Sequence, residues 1–119
     1  MDTDIKPVRW VGNSIDRVRG FPPEVRRDIG SALYDVQKGD TPKSAKPYHG
    51  VGSGVYEIVT DFKTNTYRTV YAVKIGAHVY VLHAFQKKSP KGRKVARTDE
   101  DLIRRRYKLA LQMEKESQK

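Results

Sequence analysis

Residues 55–86 read VYEIVTDFKTNTYRTVYAVKIGAHVYVLHAFQ, and this run decides the fold. β-branched and aromatic residues dominate it, and two short breaks divide it. Lys63-Thr64-Asn65 separates a first strand, Val55 to Phe62, from a second, Thr66 to Lys74. Ile75-Gly76-Ala77 separates the second from a third, His78 to Gln86. Connections this short join neighbouring strands antiparallel, so the run predicts a three-stranded meander. Alternation divides the second strand into Tyr67, Thr69, Tyr71, Val73 and Arg68, Val70, Ala72, Lys74. It divides the third into Val79, Val81, His83, Phe85 and Tyr80, Leu82, Ala84, Gln86. Neither split is clean. That predicts one face under helices and a second, partly apolar face carrying selected polar groups.

Working back towards the N-terminus, Asp40 to Gly54 is rich in Gly, Pro, Ser and Lys and reads as a long loop, its HGVGSG run supplying flexibility. Before it, Pro22 and Pro23 open a helix in which Val25, Ile29, Leu33 and Val36 recur at helical spacing, and Gly39 ends it. A shorter helical turn, capped by Asn13 or Ser14, runs through Arg19 to Gly20. Together these two segments read as a helical hairpin. Lys6 to Val11 is a short strand with Pro7 at its start or on an edge.

Beyond the meander the chain turns basic. From Lys87 to Arg97 it carries six Lys/Arg and no acid, broken by Pro90 and Gly92. Thr98 then caps a final helix running toward Glu116, with Asp99, Glu100 and Asp101 in the first turn, where the helix dipole favours acids. Leu102, Arg106 or Tyr107, Leu109, Ala110 and Met113 give that helix a partial apolar stripe. The chain, 1–119, is expected to form one α+β domain with fraying at 1–5 and 115–119.

The charge is unevenly placed. Residues 1–62 hold nine Lys/Arg and nine Asp/Glu, whereas residues 63–119 hold fifteen and five, which is the entire net charge of +10. Such asymmetry points to a polyanionic partner, most often nucleic acid. Cysteine is absent, so no disulfide or thiolate metal site is available. The histidines, His49, His78 and His83, lack metal-ligand spacing. There is no phosphate-binding glycine loop ahead of a helix and no nucleophile elbow. No apolar run reaches membrane-spanning length and the first residues lack a signal-peptide core, so a cytoplasmic protein without a membrane partner, metal or cofactor is expected.

Two side chains inside the strands need a reason. Arg68 stands mid-strand among tyrosines, where an unpaired charge is costly. It either pairs with Glu57 or Asp61 on the neighbouring strand or waits for a phosphate, which its planar fork fits bidentately. His83 is either a satisfied core histidine or a general base.

The strings YEIV, YRTVYAV and VYVLHAFQKKSPKGRK, followed by a final helix, resemble the phage-derived, HigB-like branch of the RelE/ParE toxin superfamily. The resemblance spans about Val8 to Leu111. It implies an α+β fold: an N-terminal helical hairpin packed on a small antiparallel sheet, with a C-terminal helix. It implies the toxin of a type II toxin–antitoxin pair, partnered by a HigA-like helix-turn-helix antitoxin. The implied activity is metal-independent cleavage of mRNA on the ribosome, the ribose 2′-hydroxyl attacking the adjacent phosphate. By the same resemblance Arg68, Lys87 and Lys88 stabilise the phosphate, with His83 a tentative catalytic residue. Lys63, Lys91, Arg93, Lys94 and Arg97 would grip RNA. Relatives carry lysines on the strand matching Val55 to Phe62, where this chain has Glu57 and Val59, so the general base is unassigned; Lys63, His83 and a tyrosine are candidates. Two other readings share the sequence: a ParE-type toxin that binds gyrase, and a non-toxic basic RNA-binding domain.

Overall fold

A computed structural model describes residues 5–87 and 95–118. Five strands form one sheet in the order β1-β5-β4-β3-β2. β3 (Val55–Phe62), β4 (Asn65–Ile75) and β5 (His78–Lys87) are the expected meander, antiparallel throughout. β1 (Val8–Trp10) joins the free edge of β5 and runs parallel to it, Val8 opposite Val79. β2 (Ala45–Pro47) lies antiparallel on the other edge, Lys46 opposite Glu57. This last strand falls inside the stretch expected to be loop. Three residues ending in proline carry no strand signal of their own, and pairing with β3 alone defines them.

Helices cover both faces. α1 (Ser14–Arg19) and α2 (Pro23–Gln37) lie on one side, α1 against β5 and α2 against β3. The expected helical hairpin is therefore corrected. α1 is six residues long, too short to pack along a neighbour, and each helix is anchored to its own strand. Val25, Ile29, Leu33 and Val36 of α2 meet Ile58, Tyr67, Tyr71, Val79 and Val81 in the core on this side. α3 (Arg97–Ser117) covers β5 and β4 on the other side, closing a second core of Val55, Val70, Ala72, Tyr80, Leu82, Phe85, Ile103 and Ala110.

α3 departs from the expected helix in three ways. Ala96, not Thr98, occupies the N-cap position, and it makes no side-chain cap bond. The buried line runs through Ile103, Ala110 and Glu114, while Leu109 is largely exposed. Polar Arg106 and Glu114 belong to the packed face, which blurred the apolar stripe. The C-terminal end is also ordered further than expected: helix continues to Ser117, whose hydroxyl donates to the Glu114 carbonyl. Of the residues expected to fray, 1–4 and 119 lie outside the described part of the chain.

The HGVGSG run has a packing role. A side chain at Gly52 would collide with the Tyr107 ring of α3, so glycine there lets the loop lie directly on the helix. Among the described residues, no helix is long and apolar enough to cross a membrane.

Candidate functional site

The register of β4 against β5 changes between Val70, paired with His83, and Tyr71, paired with Val81. Leu82 is thus the extra residue of a β-bulge, and alternation shifts by one after it. Val79, Val81 and Ala84 face α1 and α2, whereas Tyr80, Leu82 and Phe85 face α3. His83 points the same way, since its ring meets Asp99 and Arg106 of α3. This corrects the division read from sequence, which set His83 and Phe85 with Val79 and Val81. The bulge also frees the Leu82 carbonyl, which accepts from Arg106 Nη1 at 3.0 Å. The other terminal nitrogen of Arg106 donates to Asn13 Oδ1 at 2.6 Å, tying α3 to the start of α1.

Both ring nitrogens of His83 are engaged. Nε2 lies 2.7 Å from Asp99 Oδ1 and Nδ1 lies 3.5 Å from Arg106 Nη1. Arginine can only donate, so Nδ1 accepts and the ring proton sits on Nε2, directed at Asp99. Burial pulls the His83 pKa down, the Asp99 carboxylate works against it, and Arg106 and Arg17 reinforce it. The ring is thereby neutral, and its contact with Asp99 is a hydrogen bond more than an ion pair.

Arg68 lies on the same face, beyond the bulge. It sits opposite Phe85, and Thr66, two residues back, sits opposite Lys87. Side chains of Arg68 and Lys87 therefore share the α3 side of the sheet, one pleat apart. On the other flank Val59 is opposite Arg68, which makes Glu57 its diagonal neighbour. Arg68 Nη1 and Glu57 Oε1 are 2.9 Å apart, with the side chains only 9% and 6% exposed. Asp61, the other expected partner, instead accepts from the Thr66 hydroxyl at 2.8 Å.

The Arg68–Glu57 contact is close but poorly directed. No N–H points squarely at Glu57 Oε1, so that buried oxygen has no hydrogen bond among the described residues, and neither has Arg68 Nε. Charge attraction holds the pair while donor and acceptor capacity stays unused. An underemployed buried guanidinium is costly and calls for an explanation.

Tyr48, just past β2, closes the flank of this site. Its phenol is pushed up to about 12, chiefly by burial, then by Glu100 and Glu57, with Arg104 and Arg68 opposing. The phenol accordingly lies in the field of the sheet pair and of the first turns of α3. Sequence reasoning gives Tyr48 no site role, because β2 carries no strand signal of its own, and it reads Glu100 only as a first-turn acid of the final helix. A Lys-Pro-Tyr-His string beside a strand was the available signal.

The other expected binding residues scatter by element. Lys63 takes a left-handed φ of 57° in the β3–β4 turn, with its ammonium 5.4 Å from the Phe62 ring centre. That turn lies at the sheet end where β5 finishes with Lys87. Arg97 begins α3 and is exposed. Lys88, Lys91, Arg93 and Lys94 lie outside the described residues. A cavity of about 510 Å³ opens elsewhere, between α2 and the β3 edge, lined by Asp28, Asp35, Asp61 and Lys43 among others. Its acidic lining has the wrong sign for a phosphate.

A family model described as "Phage derived protein Gp49-like (DUF891)" matches residues 16–108. No curated protein sequence matches. Among solved structures, the chain is similar to one in the toxin–antitoxin complex RelBE2 from Mycobacterium tuberculosis. The identity is 13%, the TM-score 0.49, and the match covers 74% of this chain and 98% of that one.

Proposed function

From the premise that this chain belongs to the phage-derived Gp49-like family, we propose that it is the toxin of a type II toxin–antitoxin system and cleaves mRNA on the ribosome. The observation that carries this reading is Arg68: a strand arginine on the same face as Lys87, one pleat from the end of β5 where the basic stretch begins. Two cations on one face suit the charge that gathers on a scissile phosphate. The RelE/ParE resemblance of YRTVYAV and LHAFQKKSPKGRK supports the same chemistry.

In this reading Arg68, Lys87 and Lys88 bear on the phosphate, while Lys63, Lys91, Arg93, Lys94 and Arg97 contact the RNA backbone. His83 contributes by fixing α3 over the site, since both its nitrogens are spoken for. No metal or cofactor takes part: the ribose hydroxyl is the nucleophile. The partners are a HigA-like helix-turn-helix antitoxin and the cytoplasmic ribosome with its message.

An in vitro translation reaction tests this directly. Adding the purified chain should yield truncated message only when ribosomes are present. Intact message with translation continuing, or intact message with supercoiling by gyrase blocked, would overturn the nuclease reading.

A further inference from the structure

The HGVGSG run ahead of β3 has glycine at every second position, and each glycine meets a side chain from another element. Arg104 of α3 lies at Gly50, where an added Cβ would stand 3.7 Å from its Nη2; the Tyr107 ring lies on Gly52, and the Lys74 stem fills the place of a side chain at Gly54. Lys74 Nζ also reaches the Ser53 hydroxyl at 3.5 Å. Packing against Tyr107 accounts for Gly52. At Gly50 and Gly54, however, the loop makes room for two cations, and neither has an ion-pair partner among the described residues. Glu100 stands one turn before Arg104 on α3 and forms no ion pair with it.

The loop also leaves its backbone donors unspent. The Tyr48 N–H donates to the Val55 carbonyl and the Val73 N–H to the Gly54 carbonyl. Between these two bonds, the N–H groups of residues 49–54 meet no protein acceptor among the described residues. Residues 47–56 line a cavity of about 440 Å³ and include no acid. That volume is within the range of small-molecule sites. Unspent N–H groups in a concave loop, with cations against its wall and no carboxylate in it, favour an anion. A phosphate suits the set best, because its several oxygens can take backbone donors, a guanidinium fork and an ammonium together, whereas a carboxylate offers only two oxygens.

We propose that the loop of residues 49–54 is an anion site for a phosphate ester, held by the loop's backbone N–H groups and by Arg104 and Lys74 on its two sides. The glycines let the phosphate oxygens come close to the backbone, as no side chain stands over it at these positions. The site does not rest on the nuclease reading, since it binds without ribosomes and without cleavage. Its ligand is either a small phosphate ester or one phosphate of a nucleic-acid strand, and the two sources give different titrations.

Amide resonances of Gly50, Gly52 and Gly54 in the full chain test this. They are titrated at constant ionic strength with inorganic phosphate, adenosine 5′-monophosphate, adenosine and a short 2′-O-methyl oligoribonucleotide. Saturable shifts with phosphate or the monophosphate, and none with adenosine, assign the site to a small phosphate ester. Saturable shifts with the oligonucleotide alone assign it to a strand phosphate. Each lost charge-assisted contact should weaken binding about tenfold, so R104Q and K74Q should each do so. R105Q, which removes an equal charge from an exposed position on the same helix, should stay within about twofold of wild type. Glycine amides that none of the phosphate-bearing probes moves, or that sodium chloride moves as far, would overturn the proposal. So would an R105Q effect equal to that of R104Q, because net charge alone would then attract the anion. Arg104 and Lys74 are exposed, so both cores survive their loss; should a variant still fail to fold, the wild-type titrations decide.

Discussion

Two carboxylates are buried against the α3 side of the sheet, one at the β4–β5 turn and one at mid-sheet, and they are treated in opposite ways. Glu114, on the last turns of α3, is saturated. Its Oε1 accepts from the Tyr80 hydroxyl at 2.8 Å and lies 2.7 Å from His78 Nδ1, and its Oε2 accepts from Gln118 at 3.3 Å. The carboxylate lies directly on Gly76, whose φ of 55° builds the β4–β5 turn and where any side chain would collide with it. Glu57, at mid-sheet opposite Val70, meets one guanidinium at a poor angle and has no directed hydrogen bond on its buried oxygen among the described residues. Saturation is what a latch needs, since every satisfied group resists opening. Unused capacity is what a binding site needs, since a ligand gains only where partners are still missing. The contrast fits a latch at Glu114, holding α3 down, and sets the Arg68 pair apart as the one the proposed function draws on.

The largest effect should come from breaking the under-satisfied pair. Arg68→Ala strands Glu57 as an uncompensated buried charge, a change that costs about 3–5 kcal/mol in comparable sites. Urea unfolding would read it as a lower midpoint at unchanged slope. Replacing both members, as in R68M/E57L, should restore stability to near the wild-type value while growth arrest stays absent. Full stability in R68A alone would mean that the pair carries no burden. Growth arrest by the double variant would mean that it carries no function.

A smaller effect is expected at the latch, and it should be read against pH. Glu114 is held at about 2, below its ordinary 4.5, chiefly by the Tyr80 hydroxyl, then by His78 and Gln118, with burial opposing. A carboxylate whose folded value is depressed adds stability that is complete above its unfolded value and is lost as it protonates in the folded state. The melting temperature should therefore decline as pH falls from about 4.5 toward 2, and E114Q should flatten that decline while lowering the melting temperature at neutral pH. Parallel pH curves for the two proteins would remove Glu114 as a latch.

Much of this architecture was readable from side-chain pattern alone. β3 begins and ends at the expected residues, Val55 and Phe62, because β-branched residues fill it and a polar turn bounds it. Arg68 announced itself as a charge needing a partner, and Glu57 was one of the two partners foreseen. What stayed hidden depends on distant contacts. β1 pairs parallel with β5 across some seventy residues of chain, which no local pattern encodes. The Leu82 bulge shifts alternation without any glycine to mark it, so His83 was placed with the wrong neighbours. Tyr48 belongs to the site only because β2 pairs with β3, and three residues ending in proline gave no warning.

The proposed function stands on Arg68 answering to a phosphate. Nuclear magnetic resonance of the Arg68 Nε–H, titrated with a short 2′-O-methyl oligoribonucleotide, tests it most directly. The account predicts that this resonance shifts, while the signals of His78 and Gln118 around Glu114 stay where they are. An Arg68 Nε–H that does not respond while the oligonucleotide binds elsewhere on the chain would contradict it.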